Sequence, residues 1–389
     1  MSARPRGIAM VLSNFHAPLG GTQKQALRLG RELAARGLAV TVVSKRHPTF
    51  KPERGGYLKD FPLDELRGLG LASLPTSAAR PVWSFLGALL LWAWRHRRGL
   101  DVLHAHNVPV GIVCCLVGSL LGKRVVVKVP AWEFVEYLRG RALGRRLRRW
   151  VIRARADRVV AVNAEIAEAL AGLGIPRERI ALIPNGIELP PADPAVDAPA
   201  LRRALLGDPG LGVVLFVGRL VAEKSLDRLL GAWAALPERD RHRLVLVGDG
   251  PLRADLETLA ERLGLGTSVL FVGHQRDVAP FYALADVFVL PSRTEGLSNA
   301  LLEAMVAGLP VVVSDITGNR QLVDEDCGVL VGWEDTAGWV DALARLLGDG
   351  ALRRKLGEAA RQRVRAFAIG EVATRYLGLY EALTAGRAR

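Results

Sequence analysis

Short apolar runs rich in Val, Leu and Ile alternate with helical stretches along the whole chain, and this alternation limits the fold more than any other feature. Strands of this composition, each followed by a helix, are typical of parallel sheets covered by helices on both faces. The pattern therefore predicts an α/β protein with two doubly wound sheets. In the second half the runs lie at residues 213–217, 243–247, 269–272, 286–290, 311–313 and 329–331.

The chain length and one proline-rich stretch predict two domains. A chain of 389 residues, half of them hydrophobic, can form two cores of ordinary size. Residues 190–199 contain four prolines and are predicted to be a linker of limited flexibility. We therefore expect one domain over residues 1–190 and a second that begins at residue 191.

The cysteines and the first residues bear on the cell compartment. Cys114 and Cys115 are adjacent and Cys327 lies far along the chain, so the spacing suggests no disulfide framework and favours a reducing cytosol. The apolar run at residues 7–12 is too short for a secretion signal and is predicted to be the first strand. These features predict a cytoplasmic protein.

The net charge of +14 comes entirely from the first half of the chain. Residues 1–190 contain 30 Lys and Arg against 13 Asp and Glu, whereas the remaining residues contain 23 against 26. Such an asymmetry predicts an anionic partner for the first half, and both a nucleic acid and a membrane surface qualify.

Two segments of the first half bear on whether its partner is a membrane surface. Arg139–Arg158 contains nine arginines and one acid, with apolar residues such as Leu143, Leu147 and Trp150 at helical spacing, and a solvated face or contact with anionic lipid headgroups would explain it. We favour the lipid. Residues 81–94 are almost wholly apolar but too short to span a bilayer. A buried helix is favoured there over an interfacial helix that uses its tryptophans.

Two glycines follow the first predicted strand. Gly20 and Gly21 are expected to form a tight turn that opens a helix from Thr22 to Gly37. At the carboxyl end of a strand in such a fold, glycines allow the backbone to approach a phosphate closely. Paired glycines also occur in ordinary turns, so a phosphate-binding role for Gly20 and Gly21 depends on the evidence of the other motifs.

The stretch from Pro291 to Val312 places two carboxylates near the start of a helix between two strands. The helix is predicted to begin near Gly296, where free backbone N–H groups favour an anion. Glu295 and Glu303 are eight residues apart, so two helical glutamates at this spacing would lie along one side of the helix. Both side chains are therefore expected to reach one cleft.

This motif resembles that of the retaining, nucleotide-sugar-dependent glycosyltransferases of GT-B fold in family 4, also called glycosyl transferases group 1, and the likeness extends over nearly the whole chain. The resemblance implies two Rossmann-like domains that face each other across a cleft, with the donor domain at residues 191–368. It implies that a terminal segment, residues 369–389, crosses back to the acceptor domain. It also implies transfer with retention of configuration at the anomeric carbon.

The resemblance also implies roles for individual residues. Glu295 would face the donor sugar, and Glu303 would bind the ribose hydroxyls of the nucleotide. In the stretch after the strand at 213–217, Arg219 and Lys224 would neutralise the donor diphosphate. The remaining donor-binding positions that it implies are Gly20, Gly21, Gly296 and Leu297.

Candidates for the acceptor side lie at the ends of two first-half strands. His104 could act as a general base, with His106 beside it, although a histidine that only bonds a neighbouring group explains the pattern equally well. Many relatives carry a histidine after the next strand, and this chain instead has Lys128, with Glu133 further on. Either residue could replace that contact.

The predicted partners are a nucleotide-sugar donor, such as a UDP- or GDP-sugar, a glycan or lipid-linked acceptor, and the membrane surface, with no nucleic acid. Because no Asp-x-Asp element stands at a strand end and no His/Cys/Asp cluster has ligand spacing, neither a metal nor another cofactor is expected. Two alternatives come from other classes. They are a nucleotide-sugar epimerase of the same fold and a basic protein without enzyme activity that binds nucleic acid or membranes.

Overall fold

The computed structural model describes residues 4–13, 20–45, 68–76, 81–189 and 198–385. The chain forms two compact units, one made of Met1–Glu188 with Phe367–Arg389 and the other of Leu189–Ala366. Most of the predicted linker, residues 190–197, lies outside the described residues, as do residues 386–389 of the predicted terminal segment.

The first unit contains a seven-stranded parallel sheet in the order β3-β2-β1-β4-β5-β6-β7. The order reverses between β1 and β4, which is the topological switch point where such sheets bind ligands. Its strands are β1 (Gly7–Leu12), β2 (Ala39–Lys45), β3 (Gly70–Leu74), β4 (Val102–Ala105), β5 (Arg124–Val129), β6 (Arg158–Ala161) and β7 (Ile180–Leu182).

In the described part of the first unit, six helices connect the strands. One face of the sheet carries α3 so closely that a Cβ on Gly111 would lie 2.5 Å from Val127, and one on Gly118 would lie 2.3 Å from Val125. Asn107 caps this helix by accepting a hydrogen bond from the Val110 amide at 3.1 Å. The helices are α1 (Gly21–Ala35), α2 (Pro81–Arg95), α3 (Val108–Leu121), α4 (Trp132–Leu138), α5 (Leu143–Arg155) and α6 (Ala164–Gly172).

The helix predicted over residues 81–94 is present, but only one of its faces is buried. The helix α2 forms, and Phe85, Leu89 and Ala93 are buried at helical spacing, but Trp83 is 70% and Trp94 50% exposed. A helix with apolar residues all round buries only the face that its neighbours cover. Among the described residues, no helix combines the length and the apolar character that crossing a membrane requires.

The second unit contains a six-stranded parallel sheet in the order β10-β9-β8-β11-β12-β13, with its switch point between β8 and β11. All six apolar runs predicted for this half form strands, which confirms the α/β, doubly wound class. The strands are β8 (Gly212–Val217), β9 (His242–Val247), β10 (Val269–Gly273), β11 (Val287–Leu290), β12 (Val311–Ser314) and β13 (Gly328–Val331).

Helices flank this second sheet as the alternation requires, and Trp233 and Trp339 are almost fully buried in its core. The helices are α7 (Ala198–Leu206), α8 (Leu226–Ala234), α9 (Arg253–Arg262), α10 (Ala279–Leu284), α11 (Asn299–Val306), α12 (Thr317–Arg320), α13 (Thr336–Gly348) and α14 (Gly350–Arg363).

The last helix, α15 (Ile369–Ala385), belongs to the first unit and packs against α1. Tyr376 and Tyr380 on this helix are fully buried over the sheet. The returning chain pairs with Ile187, whose amide donates to the Phe367 carbonyl at 2.9 Å and whose carbonyl accepts from the Ile369 amide at 2.8 Å. The C-terminal segment therefore completes the core that the first 188 residues begin.

Candidate active site

Glu295 lies in the loop that joins β11 to α11, at the carboxyl edge of the second sheet. The sequence predicts a helix start near Gly296, but α11 begins at Asn299 because Ser298 has an extended backbone and its hydroxyl caps the Leu301 amide at 3.4 Å. Glu295 is therefore not helical. Its position depends on contacts with other loops rather than on helical spacing from Glu303.

Lys224 and Glu295 form an ion pair at this edge. The Lys224 Nζ donates a hydrogen bond to Oε1 of Glu295, and the Ser292 hydroxyl donates to the same oxygen at 2.7 Å. The two charged side chains are 19% and 12% exposed. Because β8 and β11 are neighbours, the residues that follow them meet at the switch point, where ligands of such sheets bind.

Arg219 follows β8 and is exposed, on a loop fixed by close backbone packing. A Cβ on Gly248 would lie 1.8 Å from the Gly218 carbonyl oxygen, and one on Gly250 would lie 2.4 Å from the Leu220 carbonyl oxygen. Gly248 also has a φ of 140°, which other residues rarely adopt. This second glycine pair holds the Arg219 loop against the end of β9.

Backbone strain marks the residue after Lys224. Ser225 has a φ of 48° and is buried, and left-handed backbone is uncommon for a residue other than glycine. Such outliers concentrate at functional sites because the surrounding structure must hold them in place. The strained residue separates Lys224 from α8, which begins at Leu226.

Trp333 links the loop that carries Glu295 to helix α8. Its ring lies 5.6 Å from the Arg293 guanidinium, in the Glu295 loop, and 5.0 Å from that of Arg228 on α8. The Arg293 amide donates to the Glu223 carbonyl at 2.9 Å, so the Glu295 loop is bonded to the turn before Lys224. Cations over a tryptophan face add stability at such positions.

Glu303 lies one and a half turns into α11 and is partly buried. The Tyr282 hydroxyl lies 3.2 Å from its Oε2 atom and 3.2 Å from the Ala300 carbonyl oxygen, so this tyrosine orients the carboxylate. The backbone around Glu295 is equally constrained. A Cβ on Gly318 would lie 2.7 Å from the Glu295 carbonyl oxygen and 2.8 Å from that of Gly296.

Gly296 and Leu297 are both buried in this loop. The structure thus brings Glu295 and Lys224 into contact, with the backbone of Gly296 and Leu297 beside them. Sequence reasoning missed the supporting residues Ser292, Tyr282, Gly318 and Trp333. Ser292 lies within the motif itself, and the glycine that follows Thr317 after a strand end is a signal of close approach.

In the first unit, Gly20 and Gly21 lie at the amino end of α1. Gly21 is already helical and Gly20 is the N-cap residue with a φ of −78°, so neither glycine needs a left-handed backbone here. The predicted tight turn therefore ends one residue earlier than expected, because the helix begins at Gly21 rather than Thr22. Their role toward a donor stays a prediction.

His104, His106 and Lys128 lie together inside the first unit, at 3% exposure or less. The His104 and His106 rings have centroids 4.3 Å apart, and Nδ1 of His104 lies 2.7 Å from the Tyr380 hydroxyl oxygen. The Lys128 Nζ donates to Oδ1 of Asn185 at 2.8 Å. The position of His104 favours the alternative of a histidine bonded to a neighbouring group, and its catalytic role stays a prediction.

Burial controls the protonation of this cluster. Desolvation, with a smaller effect of Lys128, lowers the pKa of His104 to about 3. The pKa of His106 is lowered well below its ordinary value for the same reason, and the charges of His104 and Lys128 add to it. Desolvation lowers the pKa of Lys128 to about 7. Near neutral pH both imidazoles are therefore uncharged.

Glu133 lies apart from this cluster, exposed in the first turn of α4. The structure thus does not bring Lys128 and Glu133 together as alternatives at one point. Lys128 is instead bonded to Asn185 in the loop at residues 184–186, where both backbone groups of Gly186 bond to the Gln25 amide at 2.8 and 2.9 Å. Among the described residues, no group of three His, Cys, Asp or Glu side chains could hold a metal ion.

Comparison with known proteins identifies the class of protein to which a chain with this fold and this site belongs. Two family models match, Glycosyltransferase Family 4 over residues 19–189 and Glycosyl transferases group 1 over residues 197–363. The D-inositol 3-phosphate glycosyltransferase of Nocardia farcinica is 31% identical over 97% of this chain and 90% of that protein. The chain therefore belongs to the glycosyltransferases that carry these two domains.

Solved structures show the same fold. The Anabaena HepE protein in complex with UDP superposes with a TM-score of 0.81 at 17% identity, over 97% of this chain and 100% of that chain. Sucrose-phosphate synthase from Thermosynechococcus elongatus gives a TM-score of 0.77 at 26% identity, over 98% and 99%. The predicted GT-B fold is confirmed by these likenesses.

Proposed function

We propose that this protein is a retaining glycosyltransferase that moves a hexose-type sugar from a nucleotide-sugar donor to an acceptor hydroxyl. The observation that carries the proposal is the Lys224–Glu295 ion pair at the switch point of the second sheet. A cation beside a carboxylate, both at the edge of a rigid sheet, suits a donor that joins a polyhydroxyl sugar to a diphosphate.

Arg219 and Lys224 would bind the diphosphate and stabilise the negative charge that grows on it as the sugar leaves. Glu295 would accept hydrogen bonds from sugar hydroxyls, and Glu303, oriented by Tyr282, would accept them from the ribose. The backbone amides of the Glu295 loop would complete the donor site of the second unit.

The proposed reaction proceeds on one face of the sugar through an oxocarbenium-like transition state. The bond from the anomeric carbon to the diphosphate oxygen breaks while the acceptor oxygen approaches from the same face and forms the new bond. The acceptor proton passes to the departing phosphate oxygen, so no carboxylate nucleophile and no covalent intermediate are needed. We propose that the two cations neutralise the leaving group without a metal ion or another cofactor.

A UDP- or GDP-sugar is the proposed donor, and the UDP bound to the HepE protein supports a nucleotide at this fold. The proposed acceptor is a lipid-linked glycan of an envelope or exopolysaccharide, reached at the inner face of the cell membrane by a cytoplasmic, peripheral enzyme. The basic stretch Arg139–Arg158 supports this location. A small polyol phosphate is the second candidate acceptor, because the Nocardia relative is named for inositol 3-phosphate.

A thermal-shift screen of the purified protein against UDP, GDP, ADP and dTDP, each with magnesium or with EDTA, tests the donor site. A ligand that binds only the folded state raises the melting temperature, by about 5–11 °C for a unit of this size at a hundredfold excess over its Kd. We expect a shift with one nucleotide that EDTA does not change. No shift with any nucleotide would contradict the proposed donor site.

A turnover assay separates transfer from the epimerase alternative. The purified enzyme is given the donor that the screen selects, with and without a lipid-linked glycan or a polyol phosphate. Transfer requires an acceptor and releases the nucleoside diphosphate. Conversion of the nucleotide sugar without any acceptor would instead identify an epimerase.

A further inference from the structure

Most of the exposed large apolar side chains of the described residues lie on three neighbouring helices of the first unit. Twelve large apolar side chains of the described residues are exposed, and nine of them lie on α2, α3 and α5. Single exposed apolar residues are ordinary, but a concentration of this kind marks an interaction surface. The nine residues are Val82, Trp83, Leu91, Trp94, Leu116, Leu120, Leu143, Leu147 and Trp150.

These helices form one layer, which we call the α2–α3–α5 face. The central helix α3 contacts both α2 and α5. The connections from β3 to β4, from β4 to β5 and from β5 to β6 all cross the sheet in the same direction. Right-handed crossovers therefore place α2, α3 and α5, which lie in these connections, on the same side of the sheet. The other side of the sheet is covered by α1 and α15. The buried His104 lies on that side, where its ring contacts Tyr376 and Tyr380 of α15.

The outward stripe of α5 is the sharpest part of this face. Leu143, Leu147 and Trp150 recur at intervals of four and three, so they lie on one side of the helix, and they are 82%, 58% and 55% exposed. Val151 and Ile152 are the buried residues of this helix. A helix that packs only for stability turns its longest apolar stripe toward the core, and α5 turns it away.

The charge of the face is of one sign. None of the three helices contains Asp or Glu. Arginines flank the apolar stripe of α5, and Arg97 lies after α2 with its guanidinium 4.6 Å from the Trp94 ring. Tryptophans next to arginines are the side chains that proteins place at the boundary between lipid tails and headgroups.

We propose that the α2–α3–α5 face lies on an anionic lipid bilayer, with its tryptophans and leucines among the acyl chains and its arginines at the headgroup phosphates. This inference deepens the proposed function and rests on it, because a lipid-linked acceptor would be reached at a membrane surface. It extends the contact beyond the basic stretch Arg139–Arg158 to an apolar surface that enters the membrane. A second copy of the face would oppose arginines to arginines, and a nucleic acid would leave the apolar stripe unused.

Flotation of the full chain with lipid vesicles tests the surface. We expect binding to phosphatidylcholine vesicles that contain phosphatidylglycerol and weaker binding to pure phosphatidylcholine. Added salt should weaken the binding without abolishing it, because only the arginine contacts are screened. The substitutions Leu147→Ser and Trp150→Ser together should reduce the bound fraction at least about tenfold.

Matched variants control for the loss of apolar area and of charge. Leu71→Ser with Leu182→Ser removes exposed leucines of β3 and β7 and should bind like the unaltered protein. Arg141→Gln with Arg146→Gln should weaken binding at low salt by about tenfold or more, since each arginine near such a surface contributes about 1 kcal/mol. The same charge loss at Arg354 and Lys355, in the second unit, should have no effect.

Three outcomes would overturn the inference. The first is no flotation of the unaltered protein, and the second is an equal loss of binding in the Leu71/Leu182 control. The third is a dimer in sedimentation velocity that the Leu147/Trp150 variant abolishes, with no vesicle binding, which would assign the face to a second copy. Nucleotide binding in the thermal-shift screen reports on the second unit alone, so a failure of flotation and a failure of the proposed transfer are distinguishable.

Discussion

Glu295 is the residue on which the proposed transfer depends most directly. Glu295→Ala should lower turnover by about a hundredfold to a thousandfold, because a group that contacts the reacting sugar is lost. The folded structure should persist, since Ser292 and Lys224 bond a single carboxylate oxygen at a partly exposed edge. Steady-state kinetics beside a thermal melt measure the two effects.

The exposed acid Glu325 provides the control for this substitution. Glu325→Ala removes the same charge from the second unit and should change neither turnover nor the melting temperature by a measurable amount. Unaltered turnover in Glu295→Ala would contradict the proposed role of the carboxylate. A collapse of the melting temperature would instead assign Glu295 a structural role.

The buried histidines predict how stability depends on pH. His104 is neutral when folded, with its pKa lowered to about 3, and takes up a proton near its ordinary pKa of 6.5 when unfolded. Between these values the unfolded state binds more protons, so the free energy of unfolding falls as the pH is lowered from 6.5 toward 3. His106 acts in the same direction.

Denaturant melts across this pH range check the effect. The double variant His104→Leu with Tyr380→Phe removes both ends of the buried hydrogen bond, and its stability should decline less steeply with acid than that of the unaltered protein. Tyr380→Phe alone keeps the titrating imidazole and should retain the steep decline. Equal slopes in all three proteins would show that His104 does not titrate on unfolding.

The contact between Glu295 and Lys224 could be anticipated from the sequence better than the burial of His104. Glu295 and Lys224 lie in the loops that follow two strands, where an open α/β sheet exposes whatever side chain is present. His104 also stands at a strand end, but burial there depends on Tyr376 and Tyr380, which are more than 270 residues further along. No local pattern contains that information.

At the scale of elements, Trp333 between β13 and α13 connects the Glu295 loop to α8. Trp333→Ala should loosen the Arg293 contact and raise the KM for the donor by about threefold to tenfold, because each cation–π contact contributes about 0.5–1 kcal/mol. Donor kinetics provide the measurement. Trp333→Phe keeps an aromatic face for both arginines and should behave almost normally. Equal donor affinity in the alanine variant would show that the loops hold their positions without Trp333.

Helix bounds and helix faces were predicted less well than the strands. The start of α11 moves to Asn299 because a serine that suits the cap lies two residues beyond the glycine chosen from the sequence. The faces of α2 and α5 depend on which neighbours cover them. An apolar helical stripe has the same spacing whether it contacts a core or a membrane, so periodicity alone does not distinguish the two.

At the scale of the whole molecule, the class of fold could be predicted because parallel strands buried on both faces form continuous apolar runs. The short edge strand β7 and the partly exposed β3 were not predicted, since a strand with few buried positions has little apolar signal. The sequence motif indicated the enzyme class, whereas the acceptor depends on loops that carry no such pattern.

The late position of α15 affects how the protein is made. A ribosome delivers residues 369–385 after every strand of both sheets, so the strands of the first unit are synthesised before the helix that covers Met10, Leu33 and His104 exists. During that interval an apolar, histidine-bearing surface of the sheet faces water or a chaperone. A nonsense mutation that ends the chain at residue 368 would therefore impair the first unit, although every strand of its sheet would be present.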